Sequence, residues 1–213
     1  MTPTFFYFLI SVTTALAYII GGLPFGYLIV RLSCGKDVRT MGSGNIGATN
    51  VHRTVGRNAG LIVLLLDIVK GVLAVWIAAL LTHNNPLALA LAALAVMLGH
   101  CYSVFLRFKG GKAVACFIGA FLFLAPLALA VSLISFITTV SISRYISLGS
   151  IVAALVFPFA VWRVDHPAQP IVIGSVFAAL LIVYRHKANI LRLVNGQESV
   201  FSIKGGSLKG DST

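Results

Sequence analysis

Apolar runs of about 20 residues recur along this chain, each long enough to cross a hydrocarbon core of roughly 30 Å. That recurrence constrains the fold more than any other feature. Only 10% of the 213 residues are charged, whereas soluble chains carry about 25%. The expected fold is therefore all-α and membrane-integral. Its core is the helix bundle itself, assembled by close packing and polar contacts between helices.

Apolar runs read against breakers place spans near 4–33, 59–82, 86–106, 147–163 and 169–185. A longer run, 113–140, carries Pro126 near its middle. The first run is no simple signal peptide, because no basic region precedes it and "GGLPFG" is expected to continue into helix. The polar segments between the runs are 34–58, 107–112, 141–146 and the tail from Arg185.

Positive charge assigns these segments to one side. Segment 34–58 and its flank hold Arg31, Lys36, Arg39, Arg53 and Arg57. Segment 107–112 holds Arg107, Lys109 and Lys112, and the tail holds Arg185, Lys187, Arg192, Lys204 and Lys209. The connections "THNNP" and "WRVDHPAQP" carry no net charge, Asp165 opposing Arg163 in the second. With Lys112 and the tail both inside, parity requires 113–140 to cross an even number of times. A hairpin broken around Leu124 to Pro126 satisfies this, each arm having about 13 residues or roughly 20 Å. The expectation is seven helical segments, some short or broken, with the N-terminus outside and the C-terminus in the cytoplasm. One domain, 1–200, carries site loops 34–58, 107–112, 141–150 and 185–198, and 201–213 forms a mobile tail.

The four loops share a chemistry suited to phosphate. The first, "MGSGNIGATN" followed by "VHRTVGRN", offers Ser43, Gly44, Asn45, Gly47, Thr49, Asn50 and Arg53. Glycines let backbone N–H groups converge on an anion, and an arginine adds a planar fork. The second, "RFKGGKAVA", brackets Gly110 and Gly111 with Lys109 and Lys112 just before a helix, where free N–H groups and the helix dipole could face an anion. It lacks the remaining elements of a nucleotide P-loop. The third, "SISRYISLGS", brings Arg144 with Ser141, Ser143, Ser147 and Ser150, and the fourth sets His186 and Asn189 three residues apart on one helical face. Within the spans, Asp67 and Lys70 read as an intrahelical ion pair and His100 as a satisfied packing residue. Three unevenly spaced cysteines, Cys34, Cys101 and Cys116, fit neither a disulfide framework nor a zinc site.

"GSGNIGATNVHRTVGRNAG", "LLLDIVKG", "GHCYSVFLRFKGGKAVA" and "HKANILRLVNGQE" occur in this order over residues 42–198. Together they resemble the bacterial glycerol-3-phosphate acyltransferase family that uses acyl phosphate as donor. The resemblance implies a seven-helix inner-membrane enzyme with a cytoplasmic active site and no cofactor or metal. Its reaction would be the first acylation of phospholipid synthesis: acyl phosphate plus glycerol 3-phosphate gives 1-acyl-glycerol 3-phosphate (lysophosphatidate) and phosphate. A soluble phosphate acyltransferase would supply the donor, and acyl-CoA and acyl carrier protein would not serve. Nucleic acid is no partner. Carried over by position, Ser43, Arg53, Lys112, His186 and Asn189 match the family's functional residues, and the two glycine-rich stretches match its phosphate loops. Ser147 and Ser150 are the candidates from the third loop. The chain departs from the family at Ser103, usually Pro, at Ala113, usually Gly, and at Cys116, near which Thr is usual.

This chemistry agrees with the residues. Acyl phosphate is already an activated mixed anhydride, so no covalent enzyme intermediate is needed. His186 is the one base on that face with a suitable ordinary pKa. It is expected to orient glycerol 3-phosphate with Asn189 while the departing phosphate takes the hydroxyl proton. Lys112 and Arg53 would stabilise developing charge. No histidine has Asp five positions on, so the His-x4-Asp chemistry of CoA-dependent acyltransferases is excluded. Five scattered acids cannot build the metal site of a CDP-alcohol phosphotransferase. A transporter of phosphate or an organophosphate is the alternative of another class.

Overall fold

The computed structural model describes residues 2–201, and every regular element among them is a helix. The expected tail lies, apart from Phe201, outside the described residues. Thr2 caps the first helix, α1 (Pro3–Gly22), by accepting the Phe5 N–H. The first span is not one continuous helix. It breaks at Leu23, and α2 (Phe25–Cys34) follows. Pro24 lacks an N–H and forces an extended conformation on the residue before it, which Leu23 adopts with ψ 117°. The carbonyls freed by the break find side-chain donors: Ser103 Oγ donates to Gly22 O at 2.6 Å and Lys70 Nζ to Leu23 O at 2.9 Å.

A short helix α3 (Ala48–Thr54) precedes the long α4 (Arg57–Thr82), and α5 (Pro86–Cys101) begins at an Asn85 cap that accepts from Leu87 and Ala88 N–H. Helix α5 lies at the centre of the bundle against α1, α4 and α9 (Gln169–Arg185). Its crossing with α1 is close because a Cβ at Gly21 or Gly99 would overlap the facing backbone carbonyl of Val96 or Tyr18. Glycine at such crossings lets backbones approach where hydrophobic exclusion offers no drive. Phe117, Phe121 and Phe157 fill the other half of the core, with ring centroids 4.7–5.1 Å apart.

The 113–140 run is broken where expected, at Ala125, giving α6 (Val114–Leu124) and α7 (Pro126–Ser143). The arms are unequal, however. Eleven residues of α6 rise only about 16 Å, whereas the 18 of α7 reach about 27 Å. Along α7 Ser135, Thr139 and Ser143 each return their hydroxyl to the carbonyl four residues back, which satisfies these polar groups within the helix. Only Arg144 and Tyr145 then separate it from α8 (Ile146–Ala160), which continues through a π turn, Val161–Asp165. Asp165, whose charge offsets that of Arg163 in this connection, also accepts the Ala128 N–H at 2.6 Å and the Leu127 N–H at 3.4 Å. A carboxylate at that helix start answers the dipole and unpaired donors of α7.

By length and composition, five helical segments can cross a membrane: Pro3–Cys34, Arg57–Thr82, Pro86–Leu106, Pro126–Ser143 and Ile146–Asp165. Helix α9, followed after a 55° bend by α10 (Lys187–Val194), makes a sixth. The expected seventh, α6, is too short to qualify. The three cysteines are free thiols.

Candidate active site

The four polar segments meet at one end of the bundle. Lys112 Nζ, between the Gly110–Gly111 turn and α6, donates to Asn189 Oδ1 on α10. Asn189 Nδ2 donates to Glu198 Oε1 at 2.7 Å, and Ser147 Oγ, at the start of α8, reaches the same oxygen at 2.9 Å. Arg192 Nε completes the group at 2.8 Å from Glu198 Oε2. Lys112, Asn189 and Ser147 are thus joined through one carboxylate that the sequence reading left outside the site. The available signal was its rarity: Glu198 is one of five acids in a chain of net charge +11.

Electrostatics follow from this crowding. Burial pushes Lys112 down to about 8; Glu198 opposes the shift, while Arg192, Arg185 and Arg53 add to it. Arg53, on α3, therefore stands within the same field as Lys112. Burial works against ionised Glu198, but bonds from Asn189, Ser147 and Arg192 hold its carboxyl below the ordinary range. His186 sits at the kink between α9 and α10, its Nδ1 2.8 Å from Ile182 O. Its ring is driven down to about 4 by burial and then by Lys112, so it is neutral at pH 7. With Nδ1–H donated to that carbonyl, Nε2 is left as an acceptor.

The two glycine loops are built differently from the expectation. Gly110 and Gly111 do not offer their N–H groups to an anion. They donate them to Cys101 O (3.1 Å) and His100 O (3.0 Å). Arg185 takes the other side of the turn, Nε donating to Gly111 O at 3.0 Å and Nη2 to Gly110 O at 3.1 Å, with its guanidinium 5.0 Å above the Tyr102 ring. The first N–H groups of α6 and the Lys112 ammonium remain as the donors here. Ala113 sits at φ 61°, a left-handed conformation that a side chain strains.

In the first loop Asn50 is buried and turned inward. Its Nδ2 donates to Asn45 O, Met41 O and Val38 O, and its Oδ1 accepts the Ser43 N–H at 2.9 Å. Asn45 Oδ1 accepts the Gly47 N–H, and Gly44 N–H bonds Met41 O. Asn50, Asn45 and Gly47 shape the loop, while Ser43 and Thr49 stay exposed on it. Ser150, the companion of Ser147, returns its hydroxyl to Ile146 O. Lys109 is exposed and lines, with Arg39, Gly44, Phe105, Phe108 and Arg185, a groove of about 910 Å³ beside the Lys112 turn.

A helical membrane bundle whose polar loops converge at one end on a half-buried lysine, with three arginines in its field, defines an integral membrane protein with a cationic polar cluster at that end. The comparisons with known proteins agree with that class and narrow it. The family model for glycerol-3-phosphate acyltransferase matches residues 11–196. A glycerol-3-phosphate acyltransferase of Trichlorobacter lovleyi is 49% identical over 185 residues, 87% of this chain and 94% of that one. One of Geobacter sulfurreducens is 46% identical over 191 residues, 89% and 96% of the two chains. A crystal structure of PlsY (YgiH), an integral membrane glycerol 3-phosphate acyltransferase in its glycerol 3-phosphate form, matches with a TM-score of 0.85 at 35% identity. It covers 91% of this chain and 96% of its own. The lysophosphatidic acid form matches with 0.83 at 34% identity, covering 91% and 95%. The chain belongs to the glycerol-3-phosphate acyltransferase family.

Proposed function

We infer that this protein transfers a fatty acyl group from acyl phosphate to glycerol 3-phosphate, giving 1-acyl-sn-glycerol 3-phosphate and phosphate. The observation that carries the reading is the Lys112 ammonium, half-buried, fixed by Asn189 and set in the field of Arg53, Arg185 and Arg192 with Glu198 as the one opposing charge. Such a cluster is costly unless anions occupy it, and both proposed substrates carry phosphate.

In this reading the hydroxyl oxygen of glycerol 3-phosphate attacks the acyl carbonyl carbon, and the carbon–oxygen bond to phosphate breaks. The departing phosphate takes the hydroxyl proton, a course favoured because His186, pushed down to about 4, is a weak base. Lys112 and Arg53 stabilise charge on the carbonyl oxygen and leaving phosphate. His186 Nε2 and the second Asn189 N–H orient glycerol 3-phosphate, and Ser43 with Thr49 donates from the first loop. Ser147 supports this arrangement through Glu198. Lys109, Gly44 and the neighbouring groove admit the second anionic substrate. Gly110 and Gly111 serve by their shape rather than their N–H groups.

The purified protein should form lysophosphatidate from acyl phosphate without divalent metal, and should release phosphate only when glycerol 3-phosphate is present. Equal activity with acyl-CoA would overturn the donor assignment. Phosphate moved across proteoliposomes without chemistry would favour a carrier.

The loops would face the cytoplasm of the bacterial inner membrane, with seven helical segments and an outside N-terminus, α6 crossing only part of the bilayer within the bundle. A soluble phosphate acyltransferase would deliver the donor to that face. The support is the density of Lys and Arg on these loops. In a background lacking Cys34, a cysteine at Arg144 should react from the cytoplasm and one at Asn84 from outside. The reverse pattern would invert the topology.

A further inference from the structure

Asp67, Lys70 and His100 form a buried cluster that acyl transfer as described leaves unused. Lys70 Nζ lies 2.7 Å from Asp67 Oδ1, and donates to Leu23 O at 2.9 Å and to His100 Nδ1 at 3.0 Å. Asp67, His100 and Cys116 bring ligand-type atoms within 4.8 Å of one another. The Lys70 ammonium stands among them, ion-paired with Asp67 Oδ1 and donating to His100 Nδ1. The cluster is internally neutralised, yet it reaches the active-site turn through one residue.

That residue is His100. With Lys70 donating to Nδ1, the ring proton belongs on Nε2, an assignment made from the bonding network. Nε2 faces Gly111 so closely that a Cβ there would overlap it, and a Cβ on Gly110 would overlap the His100 carbonyl. The same carbonyl accepts the Gly111 N–H at 3.0 Å. Arg185 holds the opposite edge of the turn through both glycine carbonyls. Every backbone polar group of Gly110 and Gly111 is therefore engaged, and the next residue is Lys112. This accounts for two consecutive glycines whose N–H groups are not available to an anion.

We propose that His100 is a positioning residue for acyl transfer: its ring and carbonyl seat the Gly110–Gly111 turn and so aim Lys112, while Lys70 and Asp67 lock the ring. The proposal rests on Lys112 acting on the reacting phosphate. Helix α4 thereby carries the bundle's one buried acid–lysine pair among the described residues as a brace for the site, beyond orienting itself.

The test uses His100→Asn, whose amide oxygen can replace Nδ1 as acceptor for Lys70 while the space against Gly111 empties. In detergent-purified protein, kcat/KM should fall at least about tenfold with the thermal unfolding midpoint unchanged. His100→Gln, placing its amide near Nε2, should retain more activity. Gly111→Ala should also lose at least about tenfold, but the double variant should be no worse than His100→Asn alone, because the added methyl then has room. Losses that multiply in the double variant would overturn the proposal. So would wild-type turnover in His100→Asn, whether or not its midpoint falls. Undiminished activity in Lys112→Ala would instead remove the premise, and separates failure of the functional reading from failure of this one.

Discussion

Replacing Lys112 by Ala is expected to lower turnover at least about a hundredfold, a loss of roughly 3 kcal/mol of transition-state stabilisation. The ammonium is held by Asn189 at one side and stiffened from behind by the Gly110–Gly111 turn, so it needs little reorganisation as charge develops. Lys112→Arg should rescue poorly. A longer planar fork cannot occupy the position of a compact ammonium that follows a bound glycine turn, and it would meet Arg185 and Arg192. The same lysine gives a pH signature. Its pKa is pushed down to about 8, so it loses its proton as pH rises through that value. In the free enzyme kcat/KM should fall on that alkaline limb. A Lys112→Ala enzyme with turnover near wild type would remove Lys112 from the chemistry.

Glu198→Ala should be the second most damaging change, and it should act on both folding and catalysis. The carboxylate gathers Ser147 from α8 and Asn189 and Arg192 from α10. Its side chain is only 9% exposed, while Arg192 is 37% exposed, so water screens part of that pair. Removing the acceptor leaves the Asn189 amide under-bonded and the cations uncompensated, costing about 2–3 kcal/mol of stability. Since Asn189 also holds Lys112, kcat/KM should drop at least about tenfold, measurable beside a lower unfolding midpoint in detergent. The sign with pH follows from the depressed carboxyl pKa: the contribution is complete above the unfolded carboxylate value and is lost as pH falls through the folded one. An unchanged midpoint together with unchanged kinetics in Glu198→Ala would show that the network has no energetic role.

The sequence by itself determined the membrane class, the approximate spans, the break before Pro126 and the polar segments between the spans. Each of these depends on one-dimensional quantities: the length of an apolar run, the position of a proline, the local density of Lys and Arg. Arg53, Lys112 and His186 stood out as candidates for the same reason, since cations and a histidine beside a hydrophobic span are conspicuous wherever they pack, and Asn189 stood out by its spacing of three residues from His186. Tertiary structure alone decided who bonds whom. The N–H groups of Gly110 and Gly111 answer to the end of α5, Asn50 is consumed inside its own loop, and Asp165 caps a helix 37 residues away. Glu198 becomes the meeting point of two helices, and Lys70 closes the break at Leu23. A buried polar group must find a partner, but which partner is within 3 Å depends on how distant helices cross. Those crossings are set by close backbone approaches such as Gly21 on Val96, and no local pattern of residues records them.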